Sequence, residues 1–195
     1  MKFMFFEPQK GFSWRMIIPV LVVAFFIVLI AVAIFNWRVT SQEYLGDLVA
    51  KDVEIVASML ERIDKDCKIL SFDYQKNRIN FLNVKSFVGS EVGSINLAYP
   101  NKWQGPYLDD NPTYQEKEYL VVRTNQGYFV TPGEGVILPN GKVIGKDIML
   151  DENADIAAMA QDDQQLRFEG KALAVKLKLS TSTSDIITQL PLERI

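Results

Sequence analysis

The sequence contains no histidine and only one cysteine. The lack of histidine and the single cysteine each exclude classes of chemistry. Without histidine, the chain lacks the commonest general base and the commonest transition-metal ligand, and a Ser-His or Cys-His nucleophile is excluded. With Cys67 alone, neither an intrachain disulfide nor a cysteine-based zinc site can form. Three interpretations of this thiol stay open: a nucleophile, a link between two chains, or a small apolar residue at the end of a helix.

Basic residues are not in excess, since 21 Lys and Arg residues stand against 24 Asp and Glu residues. The net charge of −3 provides no basic surface for nucleic acid. Residues 133–135 (GEG) and 140–141 (NG) are typical of hairpin turns, because the Lys-Ser/Thr pair and helix of a phosphate loop do not follow them. Residues 109–110 and 162–163 are pairs of adjacent aspartates, and side chains of adjacent residues point apart, so neither pair forms an acid–base site. We therefore expect a non-enzymatic protein.

What the chain does have is one long apolar run, residues 17–35, with nineteen residues and no charge. About 20 apolar residues span a hydrocarbon core of about 30 Å. Trp14 and Trp37 flank the run, as expected for rings at the two membrane interfaces. The run predicts a transmembrane helix over residues 12–37, with membrane lipid as its surroundings. The alternative, a buried core helix, rarely lacks a polar edge over five turns.

The flanking charges predict the orientation of this helix. Lys2, Lys10 and Arg15 precede it, whereas only Arg38 follows closely. We therefore expect a single-pass inner-membrane protein with a cytoplasmic N-terminus and an extracytoplasmic C-terminal domain. The run is too long for a typical secretory signal, and no small-residue cleavage site follows Trp37.

Beyond the membrane run, the chain predicts an α+β fold. Apolar residues recur at three- and four-residue steps, which predicts an amphipathic continuation of the helix over residues 38–66, packed on a small antiparallel β-sheet. A coiled-coil stalk is the alternative, but the apolar stripe is broader than a strict heptad seam. Residues 67–195 form the predicted extracytoplasmic α+β domain. Its predicted elements are a turn at 73–78, a short helix at 79–88, a loop at 94–112, hairpins at 118–131 and 136–144, helical turns within 149–163 and 185–190, and strands at 166–168 and 172–179.

Two short motifs lie within this layout. The first is Lys10-Gly11-Phe12-Ser13, directly before the apolar run. The second is the WQGPYL loop, residues 103–108, which contains Trp103, Gly105, Pro106, Tyr107 and Leu108. The layout and both motifs resemble type IV pilin-like proteins and, among them, the major pseudopilin of type II secretion.

The resemblance implies a pilin-like fold and cleavage between Gly11 and Phe12, with residues 1–11 as the leader. It also implies methylation of the new N-terminus, a structural role for the WQGPYL loop, and partners among other pilin-like subunits or secretion-apparatus proteins. The sequence differs from the family at Met16, where the family places a glutamate. Residues 151–156 (DENADI) are similar to an acidic stretch near the family's C-terminus. The chain runs past this stretch, so the resemblance implies that residues 160–195 are a C-terminal extension.

A calcium site is the one cofactor that the resemblance suggests. The acidic segment that would hold it contains Asp147, Asp151, Glu152 and Asp155. A solvated acidic loop is the alternative, because no EF-hand spacing is present. Two functions stay open: a pilin- or pseudopilin-like structural subunit, and an uncleaved membrane-anchored scaffold or binding domain that does not polymerise.

Overall fold

A helix of 54 residues, α1 (Trp14–Cys67), begins the described part of the chain. The computed structural model describes residues 14–87 and 94–180, and the side chains from residue 17 onward. The chain divides into two compact units, residues 1–41 and 42–195, and α1 contributes to both. The remaining elements follow in order: β1 (Ile69–Phe72), β2 (Lys76–Arg78), β3 (Ile95–Leu97), β4 (Thr113–Tyr114), β5 (Lys117–Glu118), β6 (Leu120–Thr124), β7 (Gly127–Thr131), α2 (Ile156–Met159), β8 (Arg167–Phe168), β9 (Lys171–Ala172) and β10 (Val175–Lys176).

In the first unit, the side chains of α1 are exposed on every side from residue 18 to residue 41. Phe25 and Phe26, for example, are 60% and 58% exposed. A helix that is apolar all round suits a lipid environment rather than water. By length and composition, α1 can cross a membrane, as the apolar run predicts. The predicted leader and its cleavage residues, Gly11 and Phe12, lie outside the described residues.

In the second unit, one face of α1 forms the centre of the core. Val49, Val53, Val56, Leu60 and Ile63 are all fully buried, and they recur at steps of three or four residues. The prediction of one continuous helix whose second part is amphipathic is therefore confirmed. Fully burying aliphatic side chains of this size contributes about 1.5–3 kcal/mol each.

The central sheet has four antiparallel strands in the order β10-β7-β6-β2. Strands β6 and β7 form the hairpin predicted at 118–131, with Val121 opposite Val130 and Val122 opposite Phe129. All four of these residues are buried, so the hairpin is covered on both faces. Directly before β6, the Tyr119 hydroxyl donates a hydrogen bond of 3.0 Å to the Asp52 carboxylate of α1.

Five predicted elements differ in the structure. The predicted turn at 73–78 contains β2, the predicted loop at 94–112 contains β3, and the predicted helix at 79–88 is a 3₁₀ turn, Asn80–Asn83. The second predicted hairpin, 136–144, is reduced to an isolated bridge. The predicted strand at 172–179 is divided between β9 and β10, because Leu173 turns into the core between them.

Other predictions hold or lie outside the described residues. The helical turn α2 lies within the predicted segment 149–163, which confirms it. Up to residue 180, the segment that the resemblance treats as an extension contributes β8, β9 and β10 to the domain. The helical turn predicted at 185–190 lies outside the described residues.

Candidate functional site: the loop at the end of the long helix

The ring of Trp103 holds the start of the WQGPYL loop. Its indole Nε1 donates a hydrogen bond of 3.1 Å to the carbonyl oxygen of Val84. The ring centroid lies 5.2 Å from that of Phe87 and 4.9 Å from that of Tyr107, the latter in an edge-to-face arrangement. Aromatic pairs of this geometry add about 0.5–1.5 kcal/mol to the burial of their area.

Tyr107 joins the loop to α1 and to the 3₁₀ turn. The backbone N–H groups of Tyr107 and Leu108 both donate to the carbonyl oxygen of Leu82, at 2.8 and 3.1 Å. The Arg62 guanidinium of α1 lies over the Tyr107 ring, 5.9 Å from its centroid. The Tyr107 hydroxyl accepts a bond of 3.3 Å from the Gln104 backbone N–H. The loop is thus held against the end of α1, as the sequence predicts.

Gly105 is required by close packing. A Cβ atom at this position would lie 2.3 Å from both the Val84 carbonyl oxygen and the Trp103 indole nitrogen. Both are atoms of the hydrogen bond that fixes the Trp103 ring. The following peptide bond, Gly105–Pro106, is cis. The motif glycine therefore allows the loop backbone to approach the segment that accepts the tryptophan.

Cys67 is the last residue of α1 and is fully buried. Burial raises the pKa of its thiol, and the neighbouring Asp66 carboxylate raises it further. The Tyr107 hydroxyl lies beside it, and burial raises the pKa of that phenol as well. A buried thiol with a raised pKa is a poor nucleophile and a poor partner for a second chain. Of the three interpretations, the apolar residue at a helix end is confirmed.

The structure does not bring the predicted calcium ligands together. Within residues 14–87 and 94–180, no group of three or more Asp, Glu, Cys or His side chains could hold a metal ion. Glu152 lies in an exposed turn. The three aspartates accept local backbone N–H groups instead: Asp147 from Val143, Asp151 from Asn153 and Asp155 from Ala158. For Asp155, this bond lowers the pKa of the carboxyl group.

Sequence reasoning missed Asp64, a buried carboxylate in the last turns of α1. Its Oδ1 accepts a bond of 2.9 Å from the backbone N–H of Ile69, the first residue of β1. Its Oδ2 accepts a bond of 2.7 Å from the backbone N–H of Ser180. The apolar residues at helical spacing around Asp64, such as Leu60 and Ile63, indicated only a helix face. A polar residue inside that face was the one available signal of a buried acceptor.

No family model, no curated protein and no solved structure matches this chain.

Proposed function

We propose that this protein is a non-enzymatic, single-pass membrane protein that works as a structural subunit of pilin-like or pseudopilin-like plan. One observation carries the proposal. The same helix, α1, exposes apolar side chains all round in the first unit and forms the core of an α+β domain in the second. Lateral packing of apolar helices in lipid would then drive assembly.

The WQGPYL loop supports this proposal through its place in the chain. In the resembling family, such a loop lies between the helical part and the sheet, and here it packs on the end of α1. Its aromatic rings contact one another and the protein, which fits a structural role. The proposed setting is the inner membrane, with the domain on the extracytoplasmic side, among other pilin-like or secretion-apparatus proteins.

A second function, an uncleaved membrane-anchored scaffold that does not polymerise, is favoured by Met16. Pilin-like assemblies pair an intramembrane glutamate with the new N-terminal amine of a neighbour. Without that carboxylate, an ammonium group in lipid would lack its partner, at substantial cost. Both candidate functions include the membrane anchor and the α+β domain. They differ in whether the leader is removed and in how many other copies each chain contacts.

Cysteine cross-linking in native membranes separates the two. In a Cys67→Ala background, Val23→Cys and Val32→Cys place two thiols nine residues apart, on opposite sides of α1. A polymer gives a ladder of cross-linked species after oxidation, whereas a scaffold gives discrete pairs. Each single-cysteine variant is the matched control, because one thiol per chain cannot extend beyond a dimer.

Two further measurements test the rest of the proposal. Mass spectrometry of the extracted protein should show an N-terminus at Phe12 if the leader is removed. An intact Met1 would contradict the cleaved-pilin version and favour the scaffold. Extraction with alkaline carbonate tests the anchor itself: the protein should stay with the membrane pellet, and its release into the supernatant would refute both candidates.

A further inference from the structure

The turn at residues 138–141 contains the only Asn-Gly pair in the sequence, Asn140-Gly141. The Gly141 N–H closes this turn with a hydrogen bond of 2.8 Å to the Leu138 carbonyl oxygen. Gly141 has a φ of +82°, and a Cβ atom at this position would meet nothing within 4 Å. The backbone conformation, and not close packing, therefore favours glycine after Asn140.

The Asn140 side chain connects this turn to residues 162–165, which lie between α2 and β8. Its Nδ2 atom donates one hydrogen bond of 3.1 Å to the Asp163 carbonyl oxygen and another of 2.7 Å to the Gln165 carbonyl oxygen. We call these two bonds the Asn140 tie. Its Oδ1 atom accepts a bond of 3.1 Å from the Lys142 backbone N–H. Both N–H donors of the side-chain amide are thus engaged with backbone carbonyls.

Asparagine followed by glycine is prone to spontaneous deamidation, because glycine has no side chain to hinder attack on the preceding residue. In this reaction the Gly141 nitrogen loses its proton and forms a bond to Cγ of Asn140, while the Cγ–Nδ2 bond breaks and ammonia leaves. Water then opens the cyclic imide and gives aspartate or isoaspartate at position 140. Water is the one co-reactant, so the reaction needs neither an enzyme nor a cofactor.

The native turn opposes this reaction at three atoms. The Gly141 N–H, which must lose its proton, is held by the Leu138 carbonyl. The Nδ2 group, which must leave, is held by the Asn140 tie. Cγ must move to covalent distance from the Gly141 nitrogen, and that movement draws the amide away from both carbonyls of the tie. The reaction therefore proceeds from a locally opened state, and its rate follows the population of that state.

Asp162 holds the second side of the tie. Its Oδ1 accepts a hydrogen bond of 2.9 Å from the Gln164 backbone N–H, and its Oδ2 accepts one of 2.8 Å from the Gln165 side chain. These bonds fix the turn that presents the carbonyl oxygens of Asp163 and Gln165 to the tie. The Asp163 carboxylate, by contrast, forms an ion pair of 3.7 Å with Arg167.

We propose that Asn140 is a spontaneous deamidation site that the native fold keeps unreactive, and that opening of residues 162–165 allows an irreversible conversion there. The product cannot restore the tie, because a carboxylate has no N–H donor. Its oxygens would face the carbonyl oxygens of Asp163 and Gln165, which adds a repulsion to the loss of both hydrogen bonds. A converted chain therefore keeps residues 162–165 more weakly attached. The proposal does not depend on whether the protein polymerises.

Peptide mapping by mass spectrometry tests the proposal without any change to the protein. The full chain in detergent micelles and a synthetic peptide of residues 136–146 are incubated in the same mildly alkaline buffer, and the conversion of Asn140 is followed in both. The folded chain should convert at least tenfold more slowly than the peptide, which corresponds to an opening free energy of about 1.4 kcal/mol or more.

Two variants localise the protection. Asp162→Ala should raise the rate of conversion at Asn140 about fivefold in the folded chain, because the turn that presents the two carbonyls loses its side-chain bonds. Asp163→Ala is the matched control, since it removes the neighbouring carboxylate but not these bonds, and it should change the rate less than about twofold. Circular dichroism melts establish that both variants are folded.

A third variant mimics the product. Asn140→Asp should lower the midpoint of thermal unfolding by roughly 5–10 °C, because both bonds of the tie are lost. Asn125→Asp is its control, since the Asn125 amide donates an exposed hydrogen bond to the Asn153 side chain. In this control the midpoint should fall by less than about 2 °C.

Three results would overturn the proposal. The first is conversion of Asn140 at the same rate in the folded chain and in the peptide. The second is equal acceleration of the conversion by Asp162→Ala and Asp163→Ala. The third is a midpoint of thermal unfolding for Asn140→Asp that equals that of the unchanged chain.

Discussion

Replacement of Asp64 by asparagine should destabilise the domain more than any other single charge removal on α1. Asp64 is only 5% exposed and accepts two backbone N–H groups, from Ile69 and Ser180. Asparagine has almost the same shape but offers one oxygen and one NH₂ group. One of the two backbone donors would therefore face another donor in place of an oxygen.

The magnitude follows from the two bonds. A hydrogen bond to a charged group contributes about 1.5–3 kcal/mol, and a buried donor left without an acceptor adds a further penalty. We expect Asp64→Asn to lower the free energy of unfolding by about 2–4 kcal/mol. For a unit of this size, that corresponds to a fall in the midpoint of thermal unfolding of roughly 5–15 °C.

The assay is thermal unfolding of the full chain in detergent micelles, followed by circular dichroism and by tryptophan fluorescence. Asp66→Asn is the matched control, because Asp66 lies two residues away and is partly exposed. This control should change the midpoint by less than about 2 °C. Equal shifts for the two variants would refute the role assigned to Asp64.

Three other substitutions give distinct outcomes. Gly105→Ala should destabilise the protein by about 2–3 kcal/mol, since its methyl group would overlap the Val84 carbonyl. Tryptophan fluorescence should shift to the red, because the Trp103 ring would be released from that carbonyl. Thr131→Val should stabilise the protein by about 1–2 kcal/mol, because the Thr131 hydroxyl is fully buried and unpartnered within the described residues, and denaturant unfolding measures the gain. Asp155→Asn should reduce the amount of folding stability that the protein loses as the pH is lowered into the acidic range. The backbone N–H of Ala158 lowers the pKa of Asp155, so its contribution is present above the ordinary value of 3.8 and is lost as the pH falls through the lower folded value.

Each of these predictions has a clear contrary result. Unchanged tryptophan emission in Gly105→Ala would show that the loop accommodates a methyl group. A destabilised Thr131→Val, with the exposed Thr113→Val as the neutral reference, would show that the buried hydroxyl has a favourable partner. An unchanged loss of stability at acidic pH in Asp155→Asn would show that the capping bond contributes no pH dependence.

The sequence predicted the elements whose pattern is written in their own residues. The apolar run at 17–35 and the later three- and four-residue steps were sufficient for α1. The β6–β7 hairpin was predictable because β-branched and aromatic residues flank the predicted turn at 125–127, of which residues 125 and 126 form the turn in the structure. By contrast, β2 has the sequence KNR, which is polar throughout. Its strand conformation comes from its pairing with β6, and no local pattern indicates that.

The candidate site was predictable to a similar extent. The WQGPYL motif indicated a structural loop, and the large aromatic side chains indicated that it packs on the helix. Its anchor, the Val84 carbonyl, belongs to a segment predicted as helix, where that oxygen would be engaged within the helix. The role of Asp64 depends on Ser180, which lies 116 positions away in sequence. Contacts at such separations are a property of the tertiary fold.

This separation has a consequence for how the protein is made. Helix α1 is synthesised before the sheet, but the core that buries one of its faces also includes Leu177 and Leu179, and the Ser180 N–H that binds Asp64 comes more than a hundred residues later. Until then, the stripe that contains Val56 and Leu60 has no complete cover. Contacts this distant in sequence form late and slowly. The growing chain therefore exposes this apolar stripe through most of its synthesis, and an exposed apolar surface of this kind favours aggregation until residues 177–180 are added.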